Sequence, residues 1–472
     1  MSQRIFSSRD QTAFAQLSGD YNPLHVDQIA ARRLIFGRPV VHGIHSLLWA
    51  LDIWLKDHVG SITLRSIKAS FRKPIGVREK VTYMLVAEGQ GHVEIQLIAD
   101  GSAATVTQFD WAPSIQHAPN PAPGPPPERQ TCRELSAREI QDASGQLRTG
   151  LDVGAVRKVF SGVGACLPLQ QIAEILTTTR LVGMECPGLH SIYSELELNF
   201  SGGAGDADTM RYQVEDYDTR FNLATIAVAA PGMKGRIKAF RRPAPEQQVR
   251  IADLISQTPD FSQQRALIVG GSRGLGEVTA KLLAAGGAEV KLTYHQGKHD
   301  AQQVVEEIVA SGGCAESIAC DVLHPELSRQ LQDGWHPTHV YYFATPHIFA
   351  SSKGSFSPTL FNRFCEYYVT GFANTVSDIR AVSSELMCVF YPSSVAVDEL
   401  PSAMGEYAAA KRAGETLCEF LEKTQKEIVI YKPRLPRMAT DQTVSLVPVL
   451  NHDPVEIMLR HLEELREMGL AR

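Results

Sequence analysis

The sequence lacks the features that would place a protein in a membrane, on nucleic acid or in an oxidising compartment. No apolar run approaches the ~20 residues that a membrane-spanning helix needs, and the polar start is not typical of a signal peptide. The net charge of −6 shows no basic surplus. The eight cysteines are scattered, without a C-x-x-C pair or zinc spacing. We therefore expect a cytoplasmic protein with reduced thiols, no metal, no membrane and no nucleic-acid partner.

The length and two breaks in composition divide the chain into domains. With 472 residues and ordinary globular composition, the chain is too long for one core. Seven prolines between Pro113 and Pro127 predict an extended, semi-rigid linker over 113–131. A second break falls at 241–246, before an apolar strand. The expected domains are 1–112, 132–245 and 260–472.

The first two domains have the pattern of a diverged repeat. Each begins with an apolar helical run, at 41–55 and 169–182, which is followed by alternating strands. One long helix followed by an antiparallel meander predicts a sheet wrapped around a central helix. Two such units side by side could form one continuous sheet. The expected strands are 67–71, 80–88 and 92–99, then 192–200, 210–216 and 223–230.

The third domain alternates strands and helices. Strands are expected at 266–269, 289–294, 316–320, 340–343, 386–391 and 428–431, and helices at 274–285, 301–310 and 407–423. This alternation predicts an α/β fold of the Rossmann type, with a doubly wound parallel sheet and a nucleotide at the strand ends.

A first candidate site lies near the start of the chain, at Asp20, Asn22 and His25. The Asn22-Pro23 step predicts a turn rather than a regular helix, which can bring a carboxylate and an imidazole to one side of a pocket. Hydration of a 2-enoyl thioester needs groups that activate water and move the α-proton, and donors aimed at the thioester oxygen. The backbone N–H of Gly43, at the start of a buried helix, suits the last need.

This pattern resembles the MaoC-like, (R)-specific enoyl-CoA hydratases of the hotdog fold, whose signature is Asp-x-Asn-Pro-x-His followed by His-Gly. The resemblance covers most of 10–112. It implies that Asp20 and His25 are the catalytic pair, that the Gly43 N–H is the oxyanion donor and that Asn22 and Ser46 support them. The implied fold is an α+β double hotdog, in which the second domain has no such constellation and completes the substrate tunnel.

A second candidate site begins with a glycine-rich turn, 270–276, between an expected strand and helix. Glycines let the backbone approach a pyrophosphate, and the helix N-terminus favours its charge. The end of the next strand, 291–295, has no carboxylate for the ribose of NAD, whereas Arg273 and Lys298 can meet a phosphate. This pattern favours NADP, used as NADPH, over NAD.

Ser394, Tyr407 and Lys411 complete the second site. Tyrosine titrates near 10, so an acid/base role near neutrality requires its pKa to fall by about two or three units. Lys411, four residues after Tyr407 on the same helix face, supplies positive charge. The Ser394 hydroxyl can hold the substrate oxygen.

These features, in this order and with thirteen residues from Ser394 to Tyr407, resemble the short-chain dehydrogenase/reductase family over about 265–441. The resemblance places 321–322 against the adenine. The chain departs from the family where Tyr368 replaces the usual catalytic asparagine and Arg434 the usual glycine; 368–374 is closer to polyketide synthase ketoreductases. The expected cofactor-binding residues are Gly270, Ser272, Arg273, Gly274, Leu275, Gly276, His295, Asp321, Val322, Ala344, Tyr407 and Lys411.

Together the two resemblances imply a bifunctional enzyme of fatty-acid or polyketide type biosynthesis. It would reduce 3-oxoacyl thioesters with NADPH and dehydrate the 3-hydroxyacyl product to the 2-enoyl thioester. The acyl group would be carried on acyl carrier protein or CoA, and a homodimer is expected. Two alternatives stay open: the same steps in the oxidative direction, and an active dehydratase whose silent reductase domain serves as a binding module.

Overall fold

The computed structural model describes residues 2–58, 60–114, 128–201, 208–331, 334–349, 356–446 and 449–470. Most of the predicted proline-rich linker, 115–127, lies outside these ranges. The chain forms two compact units that divide between Ala244 and Pro245. Among the described helices, none has both the length and the apolar character needed to cross a membrane. All eight cysteines fall within the described ranges and are free thiols.

The first unit, over its described residues, contains ten strands and eight α-helices. The strands are β1 (Gln3–Ile5), β2 (Ile62–Phe71), β3 (Lys80–Gly89), β4 (His92–Ala99), β5 (Ser102–Pro113), β6 (Ser144–Arg148), β7 (Ser191–Phe200), β8 (Thr209–Asp218), β9 (Leu223–Ala230) and β10 (Met233–Arg241). The helices are α1 (Ser8–Ser18), α2 (Pro23–Val26), α3 (Gln28–Arg32), α4 (Gly43–Asp57), α5 (Ala137–Gln141), α6 (Val153–Val159), α7 (Ser161–Cys166) and α8 (Leu169–Arg180), which continues as a π-helical turn, Leu181–Glu185.

The strands of the first unit form one antiparallel sheet in the order β1-β3-β4-β5-β2-β7-β10-β9-β8-β6. The prediction of one continuous sheet is confirmed, since β2 pairs with β7 where the two halves meet. The predicted meander is wrong for the strand that follows each long helix. Because β2 and β7 lie innermost, β2 pairs with β5 rather than β3, and β7 with β10 rather than β8. The same order in both halves supports the repeat.

The helices α4 and α8 lie in the largest apolar cluster of the first unit. Apolar residues occur on every side of α4, and a helix of that kind must be covered on all sides. Ile44, Leu47, Leu48 and Leu51 are accordingly fully buried. The start of α4 is thereby fixed in the interior, where the candidate site residues lie.

The Asn22-Pro23 step differs from its prediction. The structure has a one-turn helix, α2, in place of a simple turn. Pro23 occupies the first helical position, where its missing N–H costs no internal hydrogen bond. The Asn22 side chain caps the helix by accepting from the Leu24 N–H at 3.1 Å. His25 is therefore carried on a helical turn that starts at the capping asparagine.

The second unit, again over its described residues, contains eight strands and eight α-helices. The strands are β11 (Arg265–Val269), β12 (Glu289–Tyr294), β13 (Cys314–Ala319), β14 (His339–Tyr342), β15 (Met387–Phe390), β16 (Ser393–Ser394), β17 (Ile428–Tyr431) and β18 (Arg434–Leu435). The helices are α9 (Gly274–Ala285), α10 (Lys298–Ala310), α11 (Leu327–Gln330), α12 (Pro358–Cys365), α13 (Phe372–Arg380), α14 (Ala396–Glu399), α15 (Gly405–Thr424) and α16 (Pro454–Leu470).

The main sheet of the second unit has the order β13-β12-β11-β14-β15-β17, and all of these pairs are parallel. The order reverses between β11 and β14, which is the arrangement of a doubly wound sheet. The predicted α/β fold is confirmed. The carboxyl end of β11, where the glycine-rich turn begins, therefore lies at the switch point that binds ligands in such sheets.

One buried polar side chain of the first unit has an unfavourable environment. His45 is fully buried, and neither of its ring nitrogens has a hydrogen-bond partner among the described residues. Its ring stacks on Phe14 at 4.6 Å and meets Phe6 and Phe160 edge-on. Burial lowers the pKa of His45 to about 3. Unsatisfied buried polar groups destabilise a fold.

We predict that His45→Leu raises the free energy of unfolding by about 1 kcal/mol or more, because it removes unsatisfied nitrogens at similar volume. Between pH 6.5 and about 3 the unfolded state of the wild type binds a proton at His45 that the folded state does not. The wild type therefore loses stability as pH falls through this window, and the advantage of the variant should grow. Urea unfolding at pH 7.5 and 5 measures both effects; a variant less stable at both values would contradict the prediction.

Candidate active sites

The Asp20 carboxylate is the most constrained group of the first site. The residue is 2% exposed, and both of its carboxylate oxygens accept hydrogen bonds. Oδ1 accepts from the Asn22 N–H at 3.1 Å, and Oδ2 accepts from the Thr179 hydroxyl at 2.7 Å. Burial raises the pKa of Asp20, while these hydrogen bonds and the charge of His25 oppose that rise. The carboxylate is thus held in one orientation in the interior.

His25 lies next to this carboxylate and is half-buried. Its Nδ1 is 2.8 Å from the Val40 carbonyl oxygen, which can only accept, so the neutral ring has its proton on Nδ1 and its lone pair on Nε2. Burial lowers the pKa of His25. One nitrogen of His25, one of His42 and an Asp20 oxygen all lie within 4.8 Å of one another. A neutral base therefore faces a buried carboxyl group.

The ring of His42 packs against the ring of His25. The two imidazoles stack with their centroids 3.8 Å apart. His42 Nδ1 is 3.0 Å from the Gln11 Oε1 atom, and its Nε2 is 3.1 Å from the Asp20 carbonyl oxygen. Burial and the neighbouring histidines hold the pKa of His42 well below its usual range. A neutral imidazole carries a proton on only one of its nitrogens, so His42 can donate a hydrogen bond in only one of these two contacts.

Gly43 and Ser46 lie at the start of α4, directly after His42. The Gly43 N–H is among the first amides of the helix, which have no internal acceptor, and these amides carry the positive end of the helix dipole. The Ser46 hydroxyl donates to the Gly43 carbonyl at 2.7 Å and lies 3.2 Å from the Thr105 hydroxyl. A Cβ at Gly43 would lie 3.1 Å from the Phe71 ring. The structure thus brings Ser46 to Gly43, and Asp20, Asn22 and His25 to one another.

The second half of the unit forms one wall of this site, which the sequence analysis did not foresee in detail. The Asn22 side-chain amide donates to the Gly183 carbonyl at 3.0 Å and also faces the carbonyls of Gly188 and Leu189. A Cβ at Gly183 would lie only 2.2 Å from Asp20 Oδ1. Gln11, Thr179 and Gly183 were missed. The one available signal was the polar run 177–179 inside an apolar helix.

The glycine-rich turn of the second unit has the shape that a phosphate requires. Gly270 has a φ of +86°, and a Cβ there would lie 3.0 Å from the Ala344 nitrogen. A Cβ at Gly276 would lie 2.2 Å from the Gly270 carbonyl oxygen. The turn leads directly into α9, which begins at Gly274. The backbone is therefore packed closely, with the positive end of a helix dipole at the turn.

The charged residues expected around the cofactor differ in their exposure and in their partners. Arg273 is only partly exposed, and its guanidinium donates to the Asp441 carboxylate at 2.5 Å. His295 and Lys298 are both exposed, after the end of β12. Asp321 accepts from the Leu323 N–H at 3.0 Å, and Val322 is buried. Arg273 can bind a phosphate only in competition with Asp441.

Ser394, Tyr407 and Lys411 lie close to one another, with Lys411 Nζ 5.9 Å from the centroid of the Tyr407 ring. The Ser394 side chain is hydrogen-bonded to the Tyr407 hydroxyl, but burial raises the pKa of Tyr407 to about 12. Lys411 Nζ donates to the Pro392 carbonyl at 2.6 Å and lies 3.9 Å from the centroid of the Tyr368 ring. Burial lowers the pKa of Lys411 to about 7. The expected lowering of the tyrosine pKa by the lysine is therefore absent from this arrangement of the described residues.

Tyr368, which the resemblance predicts at the position of a catalytic asparagine, is fully buried in a π-helical turn, Glu366–Gly371. Its hydroxyl lies 2.5 Å from the Thr345 hydroxyl. The Tyr391 hydroxyl donates to the Tyr368 backbone carbonyl at 3.0 Å. Both polar groups of Tyr368 are thus used within the fold, and its ring covers the Lys411 ammonium.

Arg434, which the resemblance predicts in place of a glycine, supports the strand that carries the serine. It donates two hydrogen bonds to Glu415, at 2.8 and 2.7 Å, and one to Asp398 at 2.5 Å. The Ser393 hydroxyl donates to the same Glu415 carboxylate at 2.5 Å. Because β16 pairs with β18, this network fixes the position of Ser394.

Comparison with family models gives two matches, one in each unit. A model described as the MaoC like domain matches residues 3–107, and one described as short chain dehydrogenase matches residues 264–432. The chain joins a MaoC-like domain to a short-chain dehydrogenase domain. The two resemblances drawn from the motifs are therefore confirmed.

Individual curated relatives each match a short part of the chain. A 3-oxoacyl-[acyl-carrier-protein] reductase of Synechocystis sp. is 43% identical over 71 residues, 15% of this chain and 29% of the relative. The hydroxynaphthalene reductase-like protein Arp2 of Metarhizium robertsii is 41% identical over 91 residues, 19% of this chain and 32% of the relative. The chain thus spans about a third of the length of these curated relatives. A solved short chain dehydrogenase from Burkholderia cenocepacia, in complex with NADP, has a TM-score of 0.38 and 22% identity, covering 43% of this chain and 91% of that one.

We predict that Gly183→Ala destabilises the first unit by about 1–3 kcal/mol, although alanine is the better helix former, because its Cβ would overlap Asp20. Gly89→Ala is the matched control, since nothing lies within 4 Å of a Cβ at that strand end. Chemical denaturation of both variants measures the difference. Equal stability of the two variants would contradict the close approach of Gly183 to the carboxylate.

Proposed function

We propose that the protein reduces 3-oxoacyl thioesters with NADPH and dehydrates the 3-hydroxyacyl product to the 2-enoyl thioester. The observation that carries this proposal is the buried Asp20 carboxyl group beside the neutral His25 imidazole, at the N-terminus of α4. A proton acceptor, a proton donor and an oxyanion donor are the three groups that the dehydration needs. The second unit supplies a serine, a tyrosine and a lysine for the reduction.

In the first site, the His25 Nε2 lone pair and the Asp20 carboxyl group share the two proton transfers of dehydration. One removes the α-proton and the other protonates the departing hydroxyl. Burial raises the pKa of Asp20 toward neutral pH, where a group transfers protons most efficiently, and lowers the pKa of His25, so that this ring is a neutral base. The Gly43 N–H stabilises the enolate oxygen with the helix dipole behind it. Asn22 and Ser46 hold the surrounding backbone.

In the second site, the residues of the glycine-rich turn fit a dinucleotide, because side chains at Gly270 or Gly276 would fill the turn. NADPH, when bound there, supplies the hydride. Tyr407 holds and delivers the proton to the substrate oxygen, and Ser394 orients that oxygen. The predicted cofactor contacts also include Asp321, Val322 and Ala344, and the Ala344 nitrogen lies 3.0 Å from a Cβ built at Gly270.

Two observations support the direction of the reaction and the handle of the substrate. The end of β12 carries no carboxylate that would select NAD, so NADP is favoured. The names of the Synechocystis and Metarhizium relatives are those of reductases, one of them acting on a carrier-bound 3-oxoacyl group. We infer the reductive direction and a thioester on acyl carrier protein or CoA.

The architecture belongs to the same proposal. The repeated strand order and the buried helices α4 and α8 support a double hotdog, with 1–112 as the dehydratase half and 132–245 as the half without its own pair. The reductase domain is proposed over 260–472. The homodimer stays a prediction.

One set of contacts favours a second candidate function, an active dehydratase with a silent reductase domain. Lys411 is directed to the Pro392 carbonyl and the Tyr368 ring, and the pKa of Tyr407 is raised to about 12. Arg273 is paired with Asp441. In this candidate the second unit binds a nucleotide without turnover.

For the first site, Asp20→Asn should lower the hydration rate of crotonyl-CoA by about 100-fold or more, because it removes a group that transfers a proton. The loss of absorbance of the enoyl thioester measures the rate. Asp100→Asn is the control, because this exposed carboxylate pairs only with Lys73 among the described contacts and should leave the rate unchanged. Full activity of Asp20→Asn would remove the assignment.

For the second site, Tyr407→Phe should lower NADPH consumption with an acetoacetyl thioester by about 100-fold, because it removes the proton donor. The control is Tyr367→Phe, which removes a hydroxyl that accepts from Arg363 at 3.0 Å. Loss in Tyr407→Phe alone supports the active reductase. Equal and negligible rates in wild type and Tyr407→Phe, with NADPH still bound, would contradict the active reductase and support the silent reductase domain.

A further inference from the structure

We propose that Thr179, from the half of the first unit that lacks a catalytic pair, is a positioning residue for the hydration chemistry at Asp20. This inference rests on the proposed dehydratase function. It assigns that half a chemical part in the reaction, through one hydroxyl, besides its part in shaping the substrate tunnel.

The geometry singles out Thr179 among three consecutive threonines of α8. Thr177 and Thr178 are buried, and their hydroxyls donate to carbonyls of their own helix, Ala173 at 2.8 Å and Ile175 at 2.7 Å. Thr179 is equally buried, but its hydroxyl donates to Asp20 Oδ2 at 2.7 Å, across 159 positions of sequence. Donation to an intrahelical carbonyl is a common use of a threonine hydroxyl in a helix, whereas Thr179 donates to a carboxylate outside it.

The same segment also limits the other carboxylate oxygen. The π-helical turn Leu181–Glu185 begins two residues after Thr179, and a Cβ at Gly183 would lie 2.2 Å from Asp20 Oδ1. Gly183 therefore bounds Oδ1 while Thr179 holds Oδ2. Rotation of the carboxylate away from His25 is blocked by groups that belong to the second half.

The hydroxyl also acts on the charge of the carboxylate. A hydrogen bond donated to Asp20 favours the ionised form, and burial opposes it. The other titratable groups facing Asp20 are His25 and His42, which stack beside it, and Cys132 from the second half. Arg242 acts on His25 rather than directly on Asp20. Loss of the Thr179 hydroxyl therefore removes one specific support of the carboxylate and leaves these neighbours in place.

The test is the pH profile of kcat/KM for crotonyl-CoA hydration by the full-length chain, from pH 5 to 9. Thr179→Val should move the acid limb upward by about one pH unit and lower kcat more than it changes KM. Thr179→Ser keeps the hydroxyl and should restore the wild-type limb. Thr177→Val is the matched control, because it removes a buried threonine hydroxyl from the same helix without touching Asp20.

A purely structural threonine would lower stability in both valine variants and leave both acid limbs unchanged, which would overturn the inference. If Thr179→Val does not fold, Thr179→Ala removes the same hydroxyl without a new methyl group and carries the same expectation. If the wild type hydrates crotonyl-CoA but the acid limb of Thr179→Val or Thr179→Ala does not shift, only this inference is overturned. Absence of hydration by the wild type overturns the proposed function and this inference with it.

Discussion

The buried carboxylate of Asp20 is the constraint on which the first unit depends. A charge in the interior is tolerated only where hydrogen bonds replace the lost water. Here one bond comes from the neighbouring Asn22 N–H and the other from Thr179, in the second half of the unit. The two halves must therefore stay in register, which the pairing of β2 with β7 and the close approach of Gly183 enforce. Both halves of the unit therefore contribute to the surroundings of this one carboxylate.

The second unit also buries an ionisable side chain, but different groups surround it. Lys411 is buried, and the Pro392 carbonyl and the Tyr368 ring face its ammonium. Burial lowers its pKa to about 7, although the charge of Glu415 opposes this shift. Under the proposed function, the Asp20 site transfers protons in the arrangement described. The Tyr407 site would act only with a nucleotide bound beside it.

The sequence predicted what is local and missed what is distant. The bounds of α9 and β12 and the glycine-rich turn follow from patterns within a dozen residues, and they agree with the structure. The pairing of β2 with β5, the Thr179 hydrogen bond and the pair of Arg273 with Asp441 join residues 34 to 168 positions apart. A single sequence carries no pattern for such contacts, because each partner is by itself an ordinary threonine, arginine or aspartate. Asp20 and His25 belong to one short motif, so they could be predicted from the sequence. The residues of the second half that surround them could not.

The most direct measurement of the whole account is the mass of the acyl group after the wild-type protein is incubated with a 3-oxoacyl thioester and NADPH. The account predicts that the 3-hydroxyacyl thioester appears first and that the 2-enoyl thioester then forms from it, until the two reach the equilibrium ratio of the hydration step. Accumulation of the 3-hydroxyacyl thioester with no 2-enoyl product would contradict the dehydratase at Asp20. An unchanged 3-oxoacyl thioester would contradict the reductase at Tyr407.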